Sequence, residues 1–150
     1  MTKLKIEQID SYTCIVNDEI IKLRGMGGCR RKCFYGNYII KFDDSDIIFS
    51  DEDRQNEREI FLWKSMDKKD RKYFPKMVQY SKKDGFIVQE RIHFQRGIKA
   101  IKHHLTVSNL IKKYEIGDIA FSGDNDNWGV RLDTKQPVIY DYGYSYDEFY

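Results

Sequence analysis

Three tight turn signals between runs of β-branched and aromatic residues constrain this chain more than any other feature. Tyr12 to Ile21 turns at Asn17-Asp18, and Gly36-Asn37 separates Lys32 to Tyr35 from Tyr38 to Phe42. Lys82-Lys83-Asp84-Gly85 separates Met77 to Tyr80 from Phe86 to Glu90. Asn, Asp and Gly tolerate the positive φ angles that tight hairpins need, so each signal predicts two antiparallel strands. An antiparallel N-terminal sheet follows. Gln55 to Met66 reads as a helix whose apolar face is Ile60 and Trp63, with Phe61 and Leu62 as further candidates for it and Asp51 or Asp53 available as N-cap. Asp67 to Lys72 is a charge run expected on a solvated face or helix end, and Phe74-Pro75 stops the helix. Asp44 to Asp53, acidic around Ile47-Ile48-Phe49, suits a loop or a short strand. Gly97 to Lys113, with Ile98, Ile101, Leu105, Leu110 and Ile111, suits one or two helices, Ser108 capping the second. The expected class is α+β: a small antiparallel N-terminal sheet with one packed helix, then a reduced helical part with a short hairpin.

A chain of 150 residues fits one domain, or two small lobes sharing a cleft, and is long enough to bury a core. Hydrophobic content of 41%, only two prolines and no Gly/Ser tract argue for order nearly throughout. The 26 basic and 24 acidic residues leave a net charge of +2, so the whole molecule is not built to attract polyanions. Arg30-Arg31-Lys32 and the Lys68 to Lys72 cluster are locally basic, but no nucleic-acid-binding motif accompanies them, which argues against nucleic acid as partner. No run has the apolar length to cross a bilayer, and Met1 to Glu7 lacks the apolar core of a signal peptide. A cytoplasmic location and no membrane partner are expected. Cys14, Cys29 and Cys33 are an odd number, which argues against a disulfide framework. Cys29 and Cys33 lie far in sequence from His93, His103 and His104, which argues against structural zinc.

Asp124-Asn125-Asp126-Asn127 leads into apolar Trp128-Gly129-Val130, and Val138-Ile139-Tyr140 leads into Asp141-Tyr142-Gly143. Two polar turns beside apolar strands suit a divalent cation that holds a nucleotide's phosphates. Magnesium takes few protein oxygens, so Asn127 and Asp141 would suffice as ligands. The competing reading is an Asx-rich turn beside an edge hairpin. Upstream, Lys41 stands inside the apolar run Tyr38-Ile39-Ile40-Lys41-Phe42, where a buried ammonium requires an anionic partner. Glu57 and Glu59 on the following helix cannot share one face, so only one of them can be that partner. Glu59 is favoured because Ile60 and Trp63 flank it on the core side.

In chain order these parts are a glycine-rich turn, a strand Lys, a helix acid, a strand ending in Glu90-Arg91-Ile92, an Asn after a helix, and Asp-Tyr-Gly. That order resembles the protein kinase-like superfamily, in particular its short bacteriophage-encoded members, over roughly Ile20 to Tyr146. The resemblance implies an N-lobe-like part over residues 1–92, a reduced C-lobe-like part over 93–150, and ATP and Mg2+ as cofactors. It implies that Gly25 and Gly27 approach phosphates through backbone N–H groups, that Lys41 contacts the α- and β-phosphates, and that Glu59 orients Lys41. Backbone groups from Gln89 to Ile92, notably those of Glu90 and Ile92, would face an adenine, and Asn127 and Asp141 would carry the metal.

Two departures qualify the expected activity. The third glycine position of the loop is Arg30, and Ser122 stands five residues before Asn127, where kinases place the Asp that accepts the substrate proton. Either Asp124 or Asp118 takes that role, or the base is absent. Only Tyr144 to Tyr150 follow Gly143, so no activation segment or large helical lobe is expected. The resemblance thus implies an ATP- and magnesium-dependent phosphotransferase. Its alternative is a catalytically impaired pseudokinase that binds a host protein, for example as an anti-defence module in the host cytoplasm.

Overall fold

The computed structural model describes residues 2–25, 30–43, 55–95, 101–116 and 127–140. The fold is α+β with antiparallel sheets, and the chain divides into two compact units. The first comprises Met1–Ile60 and Met77–Arg91, the second Phe61–Lys76 and Ile92–Tyr150.

In the first unit, β1 (Ile6–Asp10), β2 (Thr13–Val16) and β3 (Glu19–Lys22) form a three-stranded sheet in that order. Asn17 and Asp18 join β2 to β3 with φ of 47° and 69°, the left-handed pair that a type I′ hairpin demands. Asn17 also holds the segment before β1: its amide donates to the Lys5 carbonyl, and its Oδ1 accepts from the Lys5 amide, each at 2.9 Å. The sequence pattern did not reveal β1, because Glu7, Gln8 and Asp10 hide its alternation.

The second sheet runs in the order β4 (Arg24–Gly25), β5 (Arg30–Tyr35), β6 (Tyr38–Asp43), β8 (Phe86–Glu90), β7 (Met77–Ser81). Every neighbouring pair is antiparallel. Gly36 (φ 57°) and Gly85 (φ 70°) supply the left-handed backbone at the two expected turns. Side chains alternate across a strand, and β6 uses both faces. Ile40 and Phe42 enter a core with Cys14, Val16, Leu23, Cys33, Phe86 and Val88, in which Phe42 meets Phe86 edge-on at 6.1 Å between centroids. The sulfurs of Cys14 and Cys33 lie 3.8 Å apart in that core as free thiols, joining β2 to β5 by contact. Lys41, between Ile40 and Phe42, points to the opposite face, where α1 (Gln55–Ser65) begins.

Helix α1 buries Gln55, Asn56, Glu59 and Ile60, while Phe61, expected on its apolar face, is 68% exposed. One residue is 100° of helix, and Ile60 and Trp63 already define the covered side. The expected caps Asp51 and Asp53 lie outside the described residues. An N-terminal amide of α1, that of Asn56, is instead met by Asp43 Oδ1 at 3.3 Å, reaching from the end of β6.

In the second unit a 3-10 helix (Lys68–Tyr73), α2 (Ile101–Tyr114) and a sheet ordered β11 (Pro137–Ile139), β10 (Trp128–Arg131), β9 (Phe94–Gln95) surround a second core. Met66, Phe74, Val107, Leu110, Ile111, Ile116, Trp128 and Ile139 compose it. Helix α2 is unbroken from Ile101, so Ser108 lies inside it and caps no second helix. Leu105, expected inward, is 69% exposed, because the buried stripe is Val107, Leu110 and Ile111. The charge run is anchored: Lys113 Nζ meets Asp67 at 2.6 Å and Asp70 at 2.8 Å, and the Tyr114 hydroxyl donates to Asp70 at 2.5 Å. No described helix is long and apolar enough to cross a membrane.

Candidate functional site

Glu59 is the chemical centre of the first unit. Its side chain is fully buried on the first turns of α1, against the face of the sheet that carries Lys41. A carboxylate withdrawn from water must be neutralised and hydrogen-bonded, and three side chains do this. Lys41 Nζ stands 3.8 Å from Oε2, and Gln89 Nε2 donates to the same oxygen at 3.2 Å. Arg30 Nη1 makes an ion pair with Oε1 at 2.9 Å. That contact is electrostatic in character, since Oε1 accepts no aligned hydrogen bond among the described residues.

The strand register explains the convergence. Lys32 and Lys41 are direct cross-strand partners, as are Arg30 and Asp43, so all four share the face that α1 covers. Gln89, on β8, lies opposite Ile39 and is completely buried. Asn56 locks helix to sheet: its Nδ2 donates to the carbonyls of Lys41 and Gly85, each at 2.9 Å, and its Oδ1 accepts from Arg30 Nη1 at 3.3 Å. The backbone of Lys41 is therefore pinned by the helix whose acid faces its ammonium. Glu57, the second choice from sequence, is half-buried two residues along, about 200° around the helix from Glu59.

The other expected residues fall as follows. Gly25 closes β4, paired with Arg31. Glu90 ends β8 opposite Tyr38. The next amide, that of Arg91, donates to the Asn37 carbonyl at 2.8 Å, and the Arg91 guanidinium lies 4.2 Å over the Phe34 ring. Ile92 begins the second of the two segments that make up the second unit. In that unit Asn127 has φ of 73°, a left-handed conformation that Asn adopts readily, and its carbonyl accepts from the Tyr140 amide at 2.8 Å. This bond closes the β10–β11 ladder at the end where Asn127 stands. Gly27, Asp118, Asp124 and Asp141 lie outside the described residues, as does Ser122. Among the described residues no three His, Cys, Asp or Glu side chains cluster in a way that holds a metal ion.

Sequence reasoning missed Arg30, Asn56, Gln89 and Asp43 as members of this network. Gln89 carried a readable signal, a polar residue at the end of the apolar run Phe86 to Val88. Arg30 was visible only as a departure from a glycine pattern and as part of the basic run Arg30-Arg31-Lys32. No known protein family matches the chain, and neither a curated protein sequence nor a solved structure does so.

Proposed function

We propose that this chain is a protein kinase-like nucleotide-binding protein, of the short kind encoded by bacteriophages, that uses ATP with Mg2+ for phosphoryl transfer. One observation carries the reading: a lysine in the central strand of an antiparallel sheet, paired with a fully buried glutamate on the helix packed across it. Burying Lys41 and Glu59 is costly, and a hydrophobic pair would fill the same space without that cost. A function for the ammonium explains why the chain keeps it. In this reading Lys41 binds the α- and β-phosphates, Glu59 orients it, and the strand ending at Gly25 leads into the phosphate-covering turn with Gly27. Backbone groups about Glu90 and Ile92 receive the adenine.

The donor set suits Mg2+, because an amide oxygen of Asn127 and a carboxylate of Asp141 leave room for waters and phosphates. When bound, the ion supplies neutralisation of charge between neighbouring phosphates. Asp124 or Asp118 takes the proton of the accepting hydroxyl. Ser122 favours a second reading, a pseudokinase that binds nucleotide and acts by engaging a host protein. A positioned base is worth about a hundred- to ten-thousand-fold in rate, so its loss slows transfer without abolishing binding.

Calorimetric titration with MgATP tests both readings. Saturable binding by the wild type, lost in Lys41→Ala and Asp141→Ala, is expected, and no binding by the wild type would sink both. Labelled ATP then separates them. Transfer to the protein itself, to a host-lysate component or to water supports the enzyme, whereas binding without any of these supports the pseudokinase.

A further inference from the structure

In the Glu59 network, the cation nearest the carboxylate is not the lysine. Arg30 Nη1 stands 2.9 Å from Oε1, whereas Lys41 Nζ stands 3.8 Å from Oε2, beyond the length of a direct hydrogen bond. Arg30 is held on a second side by Asn56 Oδ1 at 3.3 Å, and Asn56 is itself tied to the backbone of β6 at Lys41. The guanidinium thus sits in a fixed place at the base of α1, 9% exposed, while Glu59 is fully buried. A guanidinium does not lose its proton in a protein, so it is a permanent counter-ion. An ammonium on four rotatable carbons is the more mobile of the two cations. Lys32 stands directly across from Lys41, and like charges so opposed favour an anion between them.

We propose that Arg30 is the positioning residue that holds Glu59, so that the carboxylate keeps its counter-ion when the Lys41 ammonium turns toward the phosphates of a ligand. The assignment rests on the nucleotide reading for its ligand, though not for its structural half. If Lys41 were the sole counter-ion, engaging a phosphate would strip charge compensation from a buried carboxylate. With Arg30 in place, Glu59 stays neutralised in both conditions. Removing Arg30 would leave Lys41 as the remaining cation of the pair, drawn onto Glu59 and away from the ligand. The consequence is specific: without Arg30, the charge of Glu59 opposes phosphate binding, and deleting it recovers part of that binding.

The test uses the full chain as wild type, Arg30→Met, Arg30→Lys, Lys41→Met and the double variant Arg30→Met/Glu59→Gln. Each is melted and titrated with tripolyphosphate and, separately, MgATP. Arg30→Met is expected to melt below Lys41→Met, with Arg30→Lys between wild type and Arg30→Met in melting temperature and affinity. Arg30→Met should bind tripolyphosphate about tenfold more weakly than wild type, and the double variant should bind about threefold more tightly than Arg30→Met while staying weaker than wild type, because Glu59→Gln also gives up the charge that orients Lys41. Should Arg30→Met fail to fold, Arg30→Lys carries the comparison: it should melt lower and bind tripolyphosphate more weakly than wild type. Lys41→Met melting as low as Arg30→Met overturns the assignment, as does a double variant that binds no better than Arg30→Met, or an Arg30→Lys that melts and binds as wild type does if Arg30→Met fails to fold. If the wild type binds neither probe, the nucleotide reading falls, and the melting order alone decides whether Arg30 holds Glu59.

Discussion

Asn56 shows how much one amide can hold in place. Its Nδ2 satisfies the carbonyls of Lys41 and Gly85, and its backbone amide is met by Asp43, so helix start, central strand and the turn at Gly85 share one side chain. Asn56→Ala leaves those carbonyls without this donor in a buried place, and such a loss costs about 1–3 kcal/mol. Chemical denaturation should show the midpoint falling accordingly with an unchanged slope. Glu59→Ala is expected to cost more, about 3–5 kcal/mol, because it strands buried cations rather than neutral carbonyls. The same melts compare the two. Sequence alone exposed half of this arrangement. Lys41 was legible because an ammonium among Ile39, Ile40 and Phe42 has no cheap alternative to an acid, and helical geometry selected Glu59 over Glu57. Arg30, Asn56 and Asp43 were not, since nothing in a linear pattern reveals which polar side chains a register brings beneath a helix.

Among the elements, β9 and β10 pack with no room for a side chain at Gly129. A Cβ on Gly129 would stand 2.8 Å from both the Gln95 carbonyl oxygen and Phe94 Cδ2. Backbone cannot yield as a flexible side chain does, so Gly129→Ala should push β9 outward. Overpacking of this kind costs about 1–3 kcal/mol. The Phe94–Tyr140 ring contact, at 4.7 Å between centroids, would loosen with it, and a drop in melting temperature is expected with faster exchange of the Leu132 amide, which donates to the His93 carbonyl beside β9. The clamp between the 3-10 helix and α2 depends on pH. Burial opposes ionisation of Asp70, but hydrogen bonds from Lys113 and Tyr114 outweigh it and hold the carboxyl below its ordinary value. A lowered folded value gives stability that is complete above the unfolded value of about 3.9 and lost as pH falls through the folded one. Melting temperature should therefore decline between about pH 5 and 2 more steeply in the wild type than in Asp70→Asn. Equal slopes would remove Asp70 from the account. The exposed Lys113–Asp67 contact contributes little by comparison.

For the whole molecule, ligand linkage offers the broadest test of the proposed function. A ligand that binds only the folded state at a hundredfold excess over its Kd stabilises by about 2.7 kcal/mol. MgATP should accordingly raise the wild-type melting temperature and leave that of Asp141→Ala unmoved. Fold class and most element positions were readable, because Asn17-Asp18, Gly36 and Gly85 impose backbone conformations that specify hairpins before any packing occurs. Among the elements that escaped, β1 and the two-residue β9 owe their existence to neighbours: β1 to pairing with β2, β9 to the bare backbone at Gly129. Trp63, read as core-facing, is half-buried, whereas Phe61, a further candidate for that face, is exposed. Their side of α1 is decided by what packs there.

The paired sulfurs of Cys14 and Cys33 make the first unit its own timekeeper. Both thiols are sealed in the core, so an alkylating reagent reaches them only while β2 or β5 has parted from it. At high reagent concentration the labelling rate equals the opening rate, and at low concentration it reports the open population. Mass spectrometry of the two labelled peptides would read both from one sample. Simultaneous labelling would mean that the strands open together, and a lag at one of them would name the strand that leaves last.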